Sequence, residues 1–212
     1  MDWYTPFDTT ILFLEECIGS TSATDLARTL TGTDEYDFAS LSRQGIMTGD
    51  ATVKSLLSSW QTLSISVWEC CTALPDLIPY IGECAKASLP IHKKKKRKYL
   101  TRIQDLLPKR NYHSLTAILN GLHMYAIATA PSRGLNSTIG GMVVLDPLLP
   151  PETIFLTNPS HNHATYRQYY RENPGLPFLF PHLREYQQQG EPAIQPLLDY
   201  LQNPLAFSRG EW

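Results

Sequence analysis

The stretch from Tyr112 to Ala126, YHSLTAILNGLHMYA, decides the fold class. Leu115, Ile118, Leu119 and Leu122 recur at intervals of three and four, with Met124 beyond them, which is the spacing of a well-packed core helix. On its C-terminal side, residues 130–160 read as loop, with Gly140-Gly141, Pro147, Pro150-Pro151 and Pro159. Met142-Val143-Val144-Leu145 is the best strand signal of the chain, and a weak one. Ser160 is predicted to cap a helix over His161 to Arg171, and Phe178 to Gln189 and Ala193 to Gln202 read as two more. On the N-terminal side, Lys98 to Leu107 is a short helical candidate ended by Pro108, and Asp76 to Ala87 another, with Leu77, Tyr80, Ile81 and Cys84 on one face. Asp50 is predicted to cap a long helix to about Thr72, carrying Val53, Leu56, Leu57, Trp60, Leu63, Ile65, Val67 and Trp68 and broken by Pro75. Asp25 is predicted to cap a helix through Leu26, Ala27 and Leu30 that stops near Gly32. Thr9 to Ile18 carries a further helical face, and no internal repeat is present. The pattern predicts an all-α, single-domain chain.

Bulk properties narrow the class. With 212 residues, 42% of them apolar and 18% charged, the chain has the material for a core and is not of the disordered class. Its longest apolar runs, such as Ile11-Leu12-Phe13-Leu14, fall far below the ~18 residues a membrane span needs. Asp2 and Asp8 stand where a secretory signal would carry bases. Cys17, Cys70, Cys71 and Cys84 show no CxxC spacing, which suits reduced thiols in an intracellular, cytoplasmic protein.

The net charge of −2 conceals an asymmetry. Ten of the 18 lysines and arginines lie between Lys86 and Arg110, opposed there by Asp105 alone, so the rest of the chain is strongly acidic. The centre of this segment is Lys93-Lys94-Lys95-Lys96-Arg97-Lys98. Such a run reads as a nuclear-import signal, a contact for an anionic membrane, or a solvated insertion with no partner. Specific nucleic-acid binding is not expected, because the acidic remainder repels phosphate and no aromatic residues interleave the run for stacking.

Motifs for covalent chemistry are missing. The chain has no GxSxG, no GxxxxGK[ST], no HExxH and no GxGxxG. His161-Asn162-His163 suggests a metal fragment, but residues two apart on a helix face different ways, so no metal is assigned to them. Asp146 and Glu152 read as solvated loop acids. No cofactor is expected.

A series of ordered segments resembles a known family. Asn111-Tyr112-His113-Ser114-Leu115-Thr116-Ala117-Ile118-Leu119-Asn120-Gly121-Leu122 is similar to the "N-[FY]-x-S-L-x-A-I-L-x-G-L" helix of the catalytic domain of Ras-family guanine-nucleotide exchange factors. Upstream, Asp25 to Thr31 with Phe38 resembles that family's opening "LAxQLTxxDxxLF", Leu57 to Cys71 its "fNxlSxwV" helix and Ile78 to Lys86 its "fixiAxxC". Downstream, Asn162-His163-Ala164-Thr165-Tyr166-Arg167 resembles "NYxxYR" and leads into Pro174-Gly175-Leu176-Pro177-Phe178-Leu179, similar to "PCIPFLG". The resemblance covers roughly residues 25–191.

It implies a helical domain with a projecting hairpin, here shortened at its C-terminal side, and a mechanism without bond-making. Relatives hold switch II of a Ras-like GTPase in a hydrophobic cleft and push a helical wedge beside the nucleotide, so that GDP leaves. Carried over by position, the wedge falls on Phe180 to Glu191, with Leu183, Arg184, Glu185, Gln187 and Glu191 as its working residues; Gln187 stands near the family's apolar magnesium-blocking position. Contacts to the GTPase fall on Asn111, Thr116, Leu119, His123, His163, Arg167, Phe178 and Phe180. His123 stands where relatives usually carry Asn, His163 replaces the tyrosine of "NYxxYR", and Thr116 occupies a position that is often larger and apolar and faces the GTPase. The implied division is an N-terminal lead over 1–24, the helical domain over 25–202 with a basic insertion at 88–107, and a tail over 203–212. Two functions follow: nucleotide exchange, or a catalytically weak adaptor that binds a GTPase or another protein without exchange.

Overall fold

The computed structural model describes residues 23–78, 81, 110–129, 138–139, 142–143 and 154–203. The expected helices over Thr9–Ile18 and Lys98–Leu107, most of Asp76–Ala87, the basic run Lys93–Lys98, and Asp146 and Glu152 lie outside the described residues. Those described are mostly helical.

Helix α1 spans Ala23–Phe38. It does not stop at Gly32, and Asp25 sits in its first turn, paired with Arg28, rather than capping it. The reason is a stripe the N-terminal reading cut short: Leu26, Leu30, Asp34 and Phe38 recur every fourth residue, and all four are buried. A core-facing stripe of that length outweighs the roughly 1 kcal/mol by which one glycine disfavours a helix. Helix α2, Arg43–Thr48, is capped by Ser42, which accepts from the Gly45 N–H at 2.9 Å, and ends at Gly49 with φ of 61°.

Helix α3, Ala51–Ala73, begins as expected: the Asp50 carboxylate accepts from the Val53 N–H at 3.0 Å, and Pro75 follows its end. A 3-10 turn, Pro75–Leu77, leads to the buried Ile78 and Ile81. Helix α4, Tyr112–Thr129, is the stretch first quoted. Asn111 caps it, its Oδ1 accepting from the Ser114 N–H at 3.1 Å. Residues 111–119 are all buried, so the first two turns of this helix are enclosed on every side rather than amphipathic. A short antiparallel hairpin pairs β1 (Thr138–Ile139) with β2 (Met142–Val143). Helix α5 is Ile154–Thr157, α6 is Ser160–Glu172, α7 is Leu179–Gln189, and a 3-10 turn over Glu191–Ile194 runs into α8, Gln195–Gln202. Ser160 is not the cap of α6; its own N–H is taken by the Asn158 side chain at 3.0 Å. Among the described residues, no helix is long and apolar enough to cross a membrane.

The tightest packing joins α3 to α4, where Gly121 meets Ser64 and Val67. A Cβ on Gly121 would press into the Ser64 carbonyl oxygen and stand 2.7 Å from the Val67 Cβ. Beside this seam α1 supplies a polar knot: the buried Asp34 carboxylate accepts from Ser114 Oγ at 2.5 Å and from Asn111 Nδ2 at 2.7 Å. Burial raises the Asp34 pKa from 3.8 to about 6, against the opposing effect of those donors.

Two predictions follow from the core. Gly121→Ala forces backbone apart at the α3–α4 seam and should destabilise the protein by about 3 kcal/mol, read as the urea midpoint. For Asp34, the folded state keeps a proton between pH 3.8 and about 6 that the unfolded chain has released, so its contribution to stability falls as pH rises through that window. The stability of the wild type relative to Asp34→Asn should therefore decline from pH 5 to pH 7.5, by about 1 kcal/mol of the ~3 kcal/mol available over the full window.

Candidate functional site

The loop between α6 and α7 is laid against the start of α4. The Tyr112 N–H donates to the Leu176 carbonyl at 2.9 Å and the Tyr112 hydroxyl to the Asn173 carbonyl at 2.7 Å. The Tyr170 hydroxyl donates to the Gly175 carbonyl, and the Phe178 N–H donates to the Tyr166 hydroxyl, both at 2.9 Å. Tyr112, Tyr166 and Tyr170 are each fully buried, and their rings meet edge to face or tilted at 5.7–5.9 Å. Desolvation raises all three phenol pKa values, so they remain neutral donors. This aromatic block fixes where α7 begins.

From it Phe178 and Phe180 project toward α3. Trp60 stacks on Phe178 with centroids 5.2 Å apart and meets Phe180 edge to face at 5.1 Å, while its indole N–H donates to Thr116 Oγ1 at 2.9 Å. His163 stands edge-on to Phe178 at 5.1 Å. Burial lowers the His163 pKa against the opposing effect of a hydrogen bond to the Leu156 backbone, and the nearby Arg167 and Arg184 add to the lowering, which favours the neutral ring. Outside this aromatic wall lies a groove of about 470 Å³ lined by Pro159, Asn162, His163, Phe180, Pro181, Leu183, Arg184 and Gln187. Arg184 is the one charged residue in that lining. The groove therefore has apolar walls, a neutral imidazole and a guanidinium at its edge.

Outside the groove lining, α7 carries an ion cluster around a buried carboxylate. Glu185 is 2% exposed; Arg167 Nη1 pairs with its Oε1, and Arg171 Nη2 reaches the same oxygen at 2.8 Å. His182, packed on Tyr166 and Tyr170 at 5.5 and 4.6 Å, is held neutral by burial and by Arg167 and Arg171, its pKa lowered to about 3.

The residues singled out from the sequence fall into three groups. His163, Phe180, Leu183, Arg184 and Gln187 line the groove. Asn111, Thr116, Leu119, Phe178 and Glu185 are buried, with partners inside the chain, so they shape the site from within and offer no surface to a ligand. Thr116 in particular does not face outward: it is 1% exposed, its hydroxyl donating to the Tyr112 carbonyl and accepting from Trp60. Arg167 is mostly covered, His123 is half-buried away from the groove lining, and Glu191 pairs with Arg43. Sequence reasoning missed Asn162, Pro159 and Pro181 as groove residues and Trp60 as part of the aromatic wall behind them. Trp60 was visible as an apolar helix position; its pairing with Phe178 and Phe180 joins residues far apart in sequence, which no local pattern encodes. Among the described residues, no group of three or more His, Cys, Asp or Glu could hold a metal ion.

No protein-family model, curated protein or solved structure matches the chain.

The ion cluster gives a sharp contrast between neighbours. Glu185→Gln leaves two guanidiniums facing a neutral amide and should cost about 3 kcal/mol of stability in a denaturant titration. Arg184→Ala, one residue away and exposed, should stay within about 0.5 kcal/mol of wild type.

Proposed function

We propose that the chain is a guanine-nucleotide exchange factor for a Ras-like small GTPase, a non-covalent catalyst rather than an enzyme that makes or breaks bonds. The observation that carries this reading is a convergence. Residues taken from two separated motif-like segments, His163 from one and Phe180, Leu183, Arg184 and Gln187 from the other, line one groove. Exchange requires an apolar surface that grips the GTPase and a polar edge that favours its nucleotide-free state over its bound state. Phe180, 40% exposed, with Leu183 supplies the first, and Arg184 with Gln187 supplies the second. Neither a nucleophile nor a cofactor has a part in such a mechanism.

A second reading, an adaptor that binds without exchange, is favoured by Glu185. Its carboxylate is neutralised inside the protein by Arg167 and Arg171, so it is not free to act as an acidic wedge. Gln187 is likewise polar where relatives carry an apolar side chain.

Release of a fluorescent GDP analogue from a panel of Ras-like GTPases, with the chain in excess, separates the two. Accelerated release from one member, reduced roughly tenfold by Phe180→Ala with Arg184→Ala, is the expected outcome. Stable binding to a nucleotide-free GTPase without acceleration would establish the adaptor. Neither binding nor release across the panel would end the exchange reading and the adaptor reading toward a GTPase, leaving only an adaptor for another protein.

A further inference from the structure

Helix α6 contains a backbone anomaly at the groove wall. His161, Asn162 and His163 have φ/ψ of 51/44°, 57/53° and 53/43°, three consecutive non-glycine residues in the left-handed region. L-residues visit that region singly and under strain, because Cβ crowds the following carbonyl oxygen. Something must hold the turn there.

The holding groups are visible. In a right-handed helix continuous with α6, the carbonyls of His161 and Asn162 would accept from backbone N–H groups four residues on. Here they accept from the Arg167 guanidinium: Nε donates to the Asn162 carbonyl at 2.8 Å and Nη2 to the His161 carbonyl at 3.1 Å. The remaining arm, Nη1, pairs with Glu185 on α7. Asn162 adds a second tie to α7, its Nδ2 donating to the Pro181 carbonyl at 2.9 Å. In this state His163 stands against Phe178 and lines the groove beside Asn162.

We propose that residues 161–163 form a latched conformational switch. With Arg167 engaged, the turn is left-handed and completes the groove wall; with Arg167 released, it rewinds as a right-handed turn continuous with α6 and carries Asn162 and His163 out of the wall. One residue thereby grips two backbone carbonyls and ties them to the helix that bears the groove. Any occupant that touches His163 or Asn162 in one state alone biases the switch by its differential affinity for the two states. The device does not depend on what that occupant is.

The test needs no partner. Glycine adopts positive φ without the Cβ penalty, whereas in a right-handed helix it destabilises. His161→Gly, at an exposed position, should therefore raise Tm by about 1–3 °C, with His161→Ala at or below wild type. NMR scalar couplings that report the sign of φ should read positive at 161–163 in the wild type and turn negative in Arg167→Lys, which keeps the charge but loses the fork. Arg171→Gln, which touches Glu185 but neither carbonyl, should leave the signs positive. A lower Tm for His161→Gly, or negative couplings in the wild type, would overturn the left-handed turn. Couplings unchanged in Arg167→Lys would overturn the latch. Should Arg167→Lys fail to fold, the glycine series and Arg167→Gln decide the same two points.

Discussion

Helix α4 has no free face along its first two turns, and the rest of the described structure is arranged around that fact. Residues 111–119 are all buried, which requires covering from every direction. Helix α3 closes one side through the Gly121 seam, α1 another through the Asp34 knot, and the loop between α6 and α7 covers the N-terminal end through Leu176 and Asn173. A buried helix start must also satisfy its orphan N–H groups, and Asn111 and the Leu176 carbonyl do so. The groove is a consequence. The loop that covers α4 delivers Phe178 and Phe180 to Trp60, and α7 departs from there.

Electrostatics in this core favour neutrality, except at one cluster. His113 is pushed down to about 4 by burial and His182 to about 3, while Asp34 is pushed up to about 6. At that cluster two arginines reach the buried Glu185, and one of them also grips the backbone of the adjoining turn. A buried carboxylate needs such partners, and here the partnership binds α6 to α7. Structural and functional parts therefore share residues: Arg167 belongs to the ion cluster and to the turn that forms the groove wall.

Much of the fold was legible in local sequence. The Asp50 cap, the length of α3 and the core spacing of α4 depend on neighbours within a few residues, which is the range over which periodicity and capping act. The start of α6 was not legible, because its left-handed turn is held by Arg167 and Pro181, and a local reading of Ser160 defaults to an ordinary cap. Gly32 misled for the opposite reason. As a local signal it ends a helix, but the stripe through Asp34 and Phe38 continues into a core whose other half comes from α4.

The sequence by itself determined that this chain is helical and where its two longest described helices lie. Those properties follow from apolar spacing and caps, and each is written within one segment. Only the tertiary structure decided which of the singled-out residues reach the surface. Burial is set by what covers a residue, and Asn111, Thr116, Leu119, Phe178 and Glu185 are covered by elements distant in sequence, while Phe180, Leu183, Arg184 and Gln187 are left to line the groove.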